Sequence, residues 1–265
     1  MDNLLGYKNY LTVNGFSNST IDNYIQRIKK LFKTVKIEEL NEEEIIKFLL
    51  DMKDKYSIST INGYRNAFKS FLTFIKKDVP VPKIIKPIKK LPESFTEEFF
   101  KEKIIPVVEA VFTNPLKMKA ILYFLFYSGL RVGEMETIKR ENINLDERTV
   151  KFYMEKTKEE RITIFNKETK NILQAYFTTE LETINAFNIT KTTLKQTISR
   201  MKPYFKEINI HPHLFRHSYA THLLSKGVDV SIVSKSLGHR SISSTIRYLK
   251  LDISLLKQKY DEKIK

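Results

Sequence analysis

Apolar residues recur at three- and four-residue steps along most of the chain, the spacing of one buried helix face. From residue 18 to 32 they fall at Ile21, Tyr24, Ile25, Ile28, Leu31 and Phe32, and from 58 to 75 at Ile61, Tyr64, Phe68, Phe71, Leu72 and Ile75. Each run follows a serine suited to cap a helix, Ser17 or Ser57. The eight-residue stretches that start at these serines agree at five positions, a short internal echo. With helices at about 3–13 and 42–53, residues 1–78 read as a four-helix module of two similar hairpins. After residue 92 the same period predicts helices at about 96–111, 115–128, 131–140, 167–178, 190–206, 213–226, 229–237, 241–249 and 251–263. One segment breaks it. Residues 149–154 and 161–165 alternate around a charged turn at 155–160, the pattern of a β-hairpin with a lysine-bearing tip. The fold class is therefore mainly α in two domains, the second with a small antiparallel β-sheet.

Between the two lies 79–92, with four lysines, no acidic residue and four of the chain's eight prolines. Proline-punctuated stretches between periodic segments are linkers, and this one is basic throughout. The expected organisation is 1–78, a linker at 79–92, a second domain at 93–250 and a C-terminal helix at 251–265. Charge adds a partner. Lys and Arg number 46 against 31 Asp and Glu, a net +15, of which residues 1–78 carry +3 and the remainder +12. An excess of this size points to a polyanion, nucleic acid first. A membrane is disfavoured. The longest apolar run, 120–127, is far short of the ~20 residues of a spanning helix, and residues 1–5 lack a signal-peptide pattern. With no cysteine there is no disulfide, thiol nucleophile or Cys-ligated zinc.

Lysines outnumber arginines 36 to 10, so an arginine in an apolar or glycine-marked setting draws notice. Arg131 stands in Tyr-Ser-Gly-Leu-Arg-Val-Gly-Glu (127–134), with Glu134 one turn on to orient its guanidinium. Arg216 stands in His-Pro-His-Leu-Phe-Arg-His-Ser-Tyr-Ala-Thr-His (211–222). A planar guanidinium fork suits a phosphate, although either arginine alone reads more readily as a structural ion pair. His213 and Arg216, at i and i+3, share a helix face. Three histidines within 211–217 suggest a metal, but no HExxH and no carboxylate at ligand spacing accompanies them, so no metal is expected. His217 and His222 fall in the same amphipathic helix as Leu214, Tyr219, Leu223 and Leu224 and read as packing or helix-terminal residues. Farther on, Leu-Gly-His (237–239) is followed nine residues later by Tyr248.

Taken in order, Arg131 in its GLR-x-x-E setting, Lys156 on the hairpin, His213-x-x-Arg216, Leu237-Gly-His239 and Tyr248 resemble the tyrosine recombinases, the phage-integrase family. The hairpin lysine follows the arginine by 25 residues, which also fits. So does Ser17-x-x-Thr20-x-x-x-Tyr24, which resembles the S-x-x-T-x-x-x-Y of that family's core-binding domain. The resemblance covers nearly the whole chain and implies a SAM-like four-helix core-binding domain joined to the family's catalytic fold. It implies a reaction too: Tyr248 attacks a DNA phosphate and forms a 3′-phosphotyrosyl link that conserves the bond energy, with no ATP, metal or other cofactor. Arg131 and Arg216 would hold the non-bridging oxygens, Lys156 would protonate the departing 5′-oxygen, His213 would take the tyrosine proton or orient the phosphate, His239 would donate a hydrogen bond, and Glu134 would position Arg131.

The sequence departs from the family pattern at Phe215, where leucine is usual, at Arg240, where a small residue is common, and at Lys250, where histidine is frequent. Lys158 offers a second hairpin lysine. The short architecture resembles the Xer-type enzymes that resolve chromosome or plasmid dimers, with the integrase of a mobile element or virus as the alternative. In another class, 228–244 could form a helix-turn-helix in a regulator that only binds DNA, which leaves Arg131, Lys156 and Tyr248 without a role. The expected partners are double-stranded DNA and further copies of the chain, four protomers on two sites, with the C-terminal helix docking on a neighbour or packing on its own domain. The expected location is the cytoplasm, at the nucleoid.

Overall fold

The computed structural model describes residues 2–86, 93–154, 159–179, 184–239, 241–246, 248 and 260–261. The chain divides into two compact units, Met1–Lys90 and Leu91–Lys265.

The first unit consists of α1 (Asp2–Val13), α2 (Asn18–Leu31), α3 (Glu42–Asp51) and α4 (Ile58–Phe74). The echo in the sequence is an echo in capping. Ser17 Oγ accepts from Thr20 N and Ser57 Oγ from Thr60 N, each at 3.3 Å, and each serine hydroxyl also meets the threonine hydroxyl. Asn41 caps α3 in the same way at Glu44 N, and three glutamates in that first turn suit the positive end of the helix dipole. The core joins Ile21, Ile28 and Leu31 to Ile61, Phe68, Phe71 and Leu72, closed by Tyr7 and Leu11 from α1 and by Ile45, Phe48 and Leu49 from α3. Burial pushes the Tyr7 phenol up to about 12. Beyond α4, the Asn62 side chain grips the main chain of Ile85 from both sides, Nδ2 donating to its carbonyl at 2.7 Å and Oδ1 accepting from its amide at 3.1 Å.

In the second unit α5 (Glu97–Phe99) runs through a π-helical turn (Phe100–Ile104) into α6 (Ile105–Val111). Pro106 has no amide hydrogen to give, and the turn before it widens. Next comes α7 (Pro115–Ser128), the central element, buried at every position from Ala120 to Ser128. α6, α9 (Lys167–Thr179) and α11 (Pro212–Ser225) pack on it. Tyr127 donates to Glu97 and Tyr123 to Glu168, while Lys101 bridges the two carboxylates at 3.1 and 2.7 Å, tying α5, α7 and α9 together. Phe215 is fully buried, edge-on to Phe95.

The helix expected over 131–140 is shorter, α8 (Val132–Thr137). After it the chain extends to pair with residues 184–186. Ala186 N donates to Ile138 O, and Arg140 N to Ile184 O. A two-residue strand absent from the sequence expectation, β1 (Ile143–Asn144), then joins β2 (Thr149–Met154) and β3 (Glu159–Ile164) in an antiparallel sheet of order β1-β2-β3. The expected 190–206 helix stops as α10 (Lys191–Ser199), followed by a 3-10 turn that contains Pro203. α12 (Val230–Leu237) ends on left-handed Gly238, and of the helix expected over 241–249 the described residues form α13 (Ser243–Ile246), with Ser241, Ile242 and Tyr248 outside it in bends and turns. The expected C-terminal helix lies outside the described residues except at Tyr260 and Asp261, as do Arg240, Lys250 and the hairpin tip with Lys156 and Lys158. Among the described residues no helix is long and apolar enough to cross a membrane.

Gly129 closes α7 at φ +65°, and a Cβ there would overlap the Tyr219 ring and stand 3.1 Å from Leu237 Cδ2. Gly129→Ala should therefore cost more than about 2 kcal/mol in denaturant unfolding, from left-handed strain and overpacking combined. A loss under about 0.5 kcal/mol would mean that this turn can shift without disturbing α11 and α12.

Candidate active site

The site grows from the turn at Gly129. Leu130 is buried, and Arg131 caps α8. Its backbone amide donates to Glu134 Oε2 at 2.7 Å and its Nη1 to Glu134 Oε1 at 2.8 Å. Glu134 is thus both cap and orienter, and it leaves the guanidinium head half-exposed.

α11 contributes one face, with His213, Arg216 and His217 at i, i+3 and i+4. Arg216 is 3 % exposed. Its Nη1 donates to Gly129 O at 2.7 Å and its Nη2 to Leu237 O. Burial lowers its pKa most, the Arg131 and Arg161 cations lower it further, and it comes to about 9. It stays charged at neutral pH, bonded to backbone and not to a carboxylate. His213 is exposed at the start of this face, and its pKa lies below the usual imidazole range, from burial and then from Arg216. The His213 and His217 rings stack at 6.4 Å.

Tyr248 is 6 % exposed, packed among Tyr219, Ala220, Leu224, Val233 and Leu237. Its hydroxyl and His217 Nδ1 share a hydrogen bond of 2.7 Å. His217, read from the sequence as a packing or helix-terminal residue, thus shares a hydrogen bond with the tyrosine. His239 follows Gly238 at the end of α12, with Nδ1 2.7 Å from the hydroxyl of buried Thr245. Arg131, His213, Arg216, His239, Tyr248 and Glu134 therefore occupy one unit, disposed around α11 and the turns on either side of it. Lys156, outside the described residues, has no described place in this arrangement.

Arg161 has no counterpart in the sequence expectation. It is 6 % exposed on β3 and lies over the Phe152 ring, 4.8 Å from its centroid. Nη1 donates to Leu237 O at 2.6 Å and Nη2 to Ser236 O. The strand's alternation hid it: Ile162 and Ile164 are 56 % and 63 % exposed, while Arg161 and Thr163 point inward. Among the described residues no three or more His, Asp or Glu side chains gather as a metal site. Three guanidiniums, of which Arg131 lowers the proton affinity of the other two, stand with imidazoles and a phenol as an anion site with a hydroxyl in reach, suited to phosphoryl transfer.

Comparison with known proteins gives the arrangement a context. The phage integrase family's sequence pattern matches residues 95–254, and that family's N-terminal SAM-like domain matches 4–80. A tyrosine recombinase, XerA, of Pyrococcus horikoshii is 30% identical over 97% of this chain and 92% of its own. A crystal structure of a XerA recombinase aligns over 100% of this chain and 99% of its own at 25% identity, with TM-score 0.56. The Tn1549 transposon integrase in complex with transposon right end DNA shares the fold, at 14% identity and TM-score 0.76 over 99% of both chains.

His211, His213 and His222 all have pKa values lowered first by burial. A folded pKa below the unfolded ~6.5 means that the unfolded chain binds more protons as pH falls. The stabilisation is complete above about 6.5 and is lost below it, with exposed His213 contributing least. The melting temperature of the second unit should fall between pH 7.5 and 5.5, and His222→Gln should flatten part of that fall. A level or rising melting temperature over this range would contradict the assignment.

Proposed function

The chain belongs to the phage integrase family, the tyrosine recombinases, and from that premise we propose that it cuts and rejoins double-stranded DNA at specific sites through a 3′-phosphotyrosyl intermediate on Tyr248. The observation that carries the residue assignment is the Tyr248–His217 hydrogen bond, one residue along α11 from Arg216. It joins the Tyr248 hydroxyl to the helix that carries Arg216, on whose charge the phenol also bears, and so supports reading the two as nucleophile and phosphate grip.

In this reading the Tyr248 oxygen attacks the scissile phosphorus, and its proton passes to the histidine pair, His217 in contact and His213 stacked upon it. Arg131, oriented by Glu134, and Arg216, fixed by two carbonyls, stabilise the charge on the non-bridging oxygens, and His239 donates a further hydrogen bond. The P–O5′ bond breaks, and the family resemblance gives Lys156 the proton that the departing oxygen takes. Religation is the reverse reaction, with a 5′-hydroxyl as nucleophile, so no energy source or cofactor enters. Each oxyanion donor of this kind is worth on the order of 10²–10³ in rate, and general acid–base groups ~10²–10⁴.

The archaeal XerA relative supports a Xer-like role, resolution of chromosome or plasmid dimers, over integration of a mobile element. The reading includes four protomers on two DNA sites, in the cytoplasm at the nucleoid, and a basic linker that adds phosphate contacts. Affinity then comes mainly from lysine and phosphate.

Incubated with nicked duplexes carrying sites recovered by binding selection, the wild type should form a covalent protein–DNA adduct. Tyr248→Phe should form none, and Arg216→Ala should slow its formation on the order of 10²–10³-fold. An adduct that persists in Tyr248→Phe assigns the wrong nucleophile, and none with the wild type on any selected site removes the enzyme reading. Site binding should weaken with salt at a log–log slope of magnitude at least ~4; a flat response would contradict phosphate-led binding.

A further inference from the structure

Arg161 is a buried cation of the second unit that this mechanism does not use. In register it faces Phe152 across the sheet, and its guanidinium lies flat over that ring. From there it crosses to the other side of the site and donates to the Ser236 and Leu237 carbonyls, the last two of α12. A helix C-terminus is where unpaired carbonyls and the negative end of the dipole favour a cation. Leu237 O is also the acceptor of Arg216, so two guanidiniums from β3 and α11 share one carbonyl oxygen. Ser236 is held from its side chain as well, by the Tyr219 hydroxyl at 2.7 Å and the Thr163 hydroxyl at 3.2 Å. Immediately beyond comes Gly238 at φ +61°, the left-handed residue that ends the helix, and then His239.

We propose that Arg161 is a positioning residue for strand cleavage, acting through the α12 terminus to fix both the Arg216 fork and the turn that aims His239. The inference rests on the recombinase reading above. Its physical content is a division of labour at Leu237 O. While Arg161 takes Ser236 O and part of Leu237 O, Arg216 needs only one N–H there and one at Gly129 O, and its remaining N–H groups face a phosphate. Without Arg161 the Ser236 carbonyl loses its donor and Leu237 O keeps only Arg216, so Arg216 is drawn further toward the helix end and the Gly238 turn loses its guanidinium tie to the sheet. Lysine cannot substitute: a compact ammonium neither lies flat on Phe152 nor reaches two carbonyls as a rigid fork.

The test is single-turnover adduct formation by the full chain, with Arg161→Lys and Arg161→Gln, at protein concentrations that saturate the DNA site. Two nicked substrates are used, one ordinary and one with sulfur in place of the bridging 5′-oxygen. In the second, the P–S bond breaks and the thiolate leaves without needing a proton, so defects in the leaving-group acid are relieved and defects in phosphate positioning are not. Both variants should bind the site within about twofold of wild type yet form adduct on the order of 10- to 10²-fold more slowly, as sub-ångström to ångström misplacement does. The sulfur substrate should restore neither, although it should restore Lys156→Ala.

A wild-type rate in the folded variants would reduce Arg161 to a structural strut and overturn the proposal. Loss of folding in both variants would do the same. Recovery on the sulfur substrate would also overturn it, by routing Arg161 through the hairpin lysine. If the wild type forms adduct on neither substrate, the recombinase reading falls instead.

Discussion

The second unit is organised around a charge that pairs with no carboxylate among the described residues. Arg216 is buried and spans Gly129 O, at the end of α7, and Leu237 O, at the end of α12. A guanidinium removed from water is costly unless its hydrogens are met, and here two helix ends meet part of them. The positions of three elements follow from that one group. α7 must stop where Gly129 can turn its carbonyl toward α11, which requires the left-handed φ of +65°. α12 must present its last carbonyls inward, which requires Gly238. The residues that leave those two turns, Arg131 and His239, are then delivered to either side of the same helix.

The surrounding core serves this geometry. α7 is apolar all round because it is buried on all sides, so its position is set by packing and not by one face. The tyrosines that leave it, Tyr123 and Tyr127, are held by Glu168 and Glu97, and the phenols are pushed up by burial and then by those carboxylates. Lys101 between the acids completes a polar seam that fixes the π-helical segment against α7. α11, packed on α7 and on the start of this seam through Phe215 against Phe100 and Ser218 against Phe95 N, is thereby a rigid carrier for His213, Arg216 and His217.

Much of this was legible in the sequence, and the exceptions have a common cause. Helices with an amphipathic stripe and a serine or asparagine cap, α2, α3 and α4, are encoded locally and appear where the pattern puts them. Arg131, Arg216 and Tyr248 stood out through spacing and setting. What failed to stand out depends on contacts distant in sequence. The 138–142 segment leaves the helix because it pairs with 184–186, and β1 is too short to alternate. β3 misleads outright: its apolar residues face solvent, and its buried side carries Arg161 and Thr163, whose partners lie on α7 and α12. His217 lies at the right period for a core residue, and only the fold reveals that what it meets is a phenol. A local pattern cannot distinguish a polar side chain that is buried for packing from one that is buried beside its chemical partner.

That same arrangement explains why the site is electrostatically expensive while the chain as a whole is merely basic. Lysines on solvated faces add long-range attraction for a polyanion at little cost to folding, since water screens them from one another. The Arg131 cation instead lowers the proton affinity of buried Arg161 and Arg216, Arg161 lowers that of Arg216 further, and partial desolvation and then Arg216 lower that of His213. Such a cluster is destabilising until an anion arrives, and a phosphate diester carries the charge that relieves it. Preorganised donors that already bear this cost need not reorganise when negative charge builds up on the phosphoryl oxygens. The stability given up in the folded chain is therefore recovered selectively in the transition state, where the equatorial oxygens hold the most charge. On the proposed reading, substituting lysines across the surface would alter how often DNA is found, and substituting Arg131, Arg161 or Arg216 would alter what happens to it there.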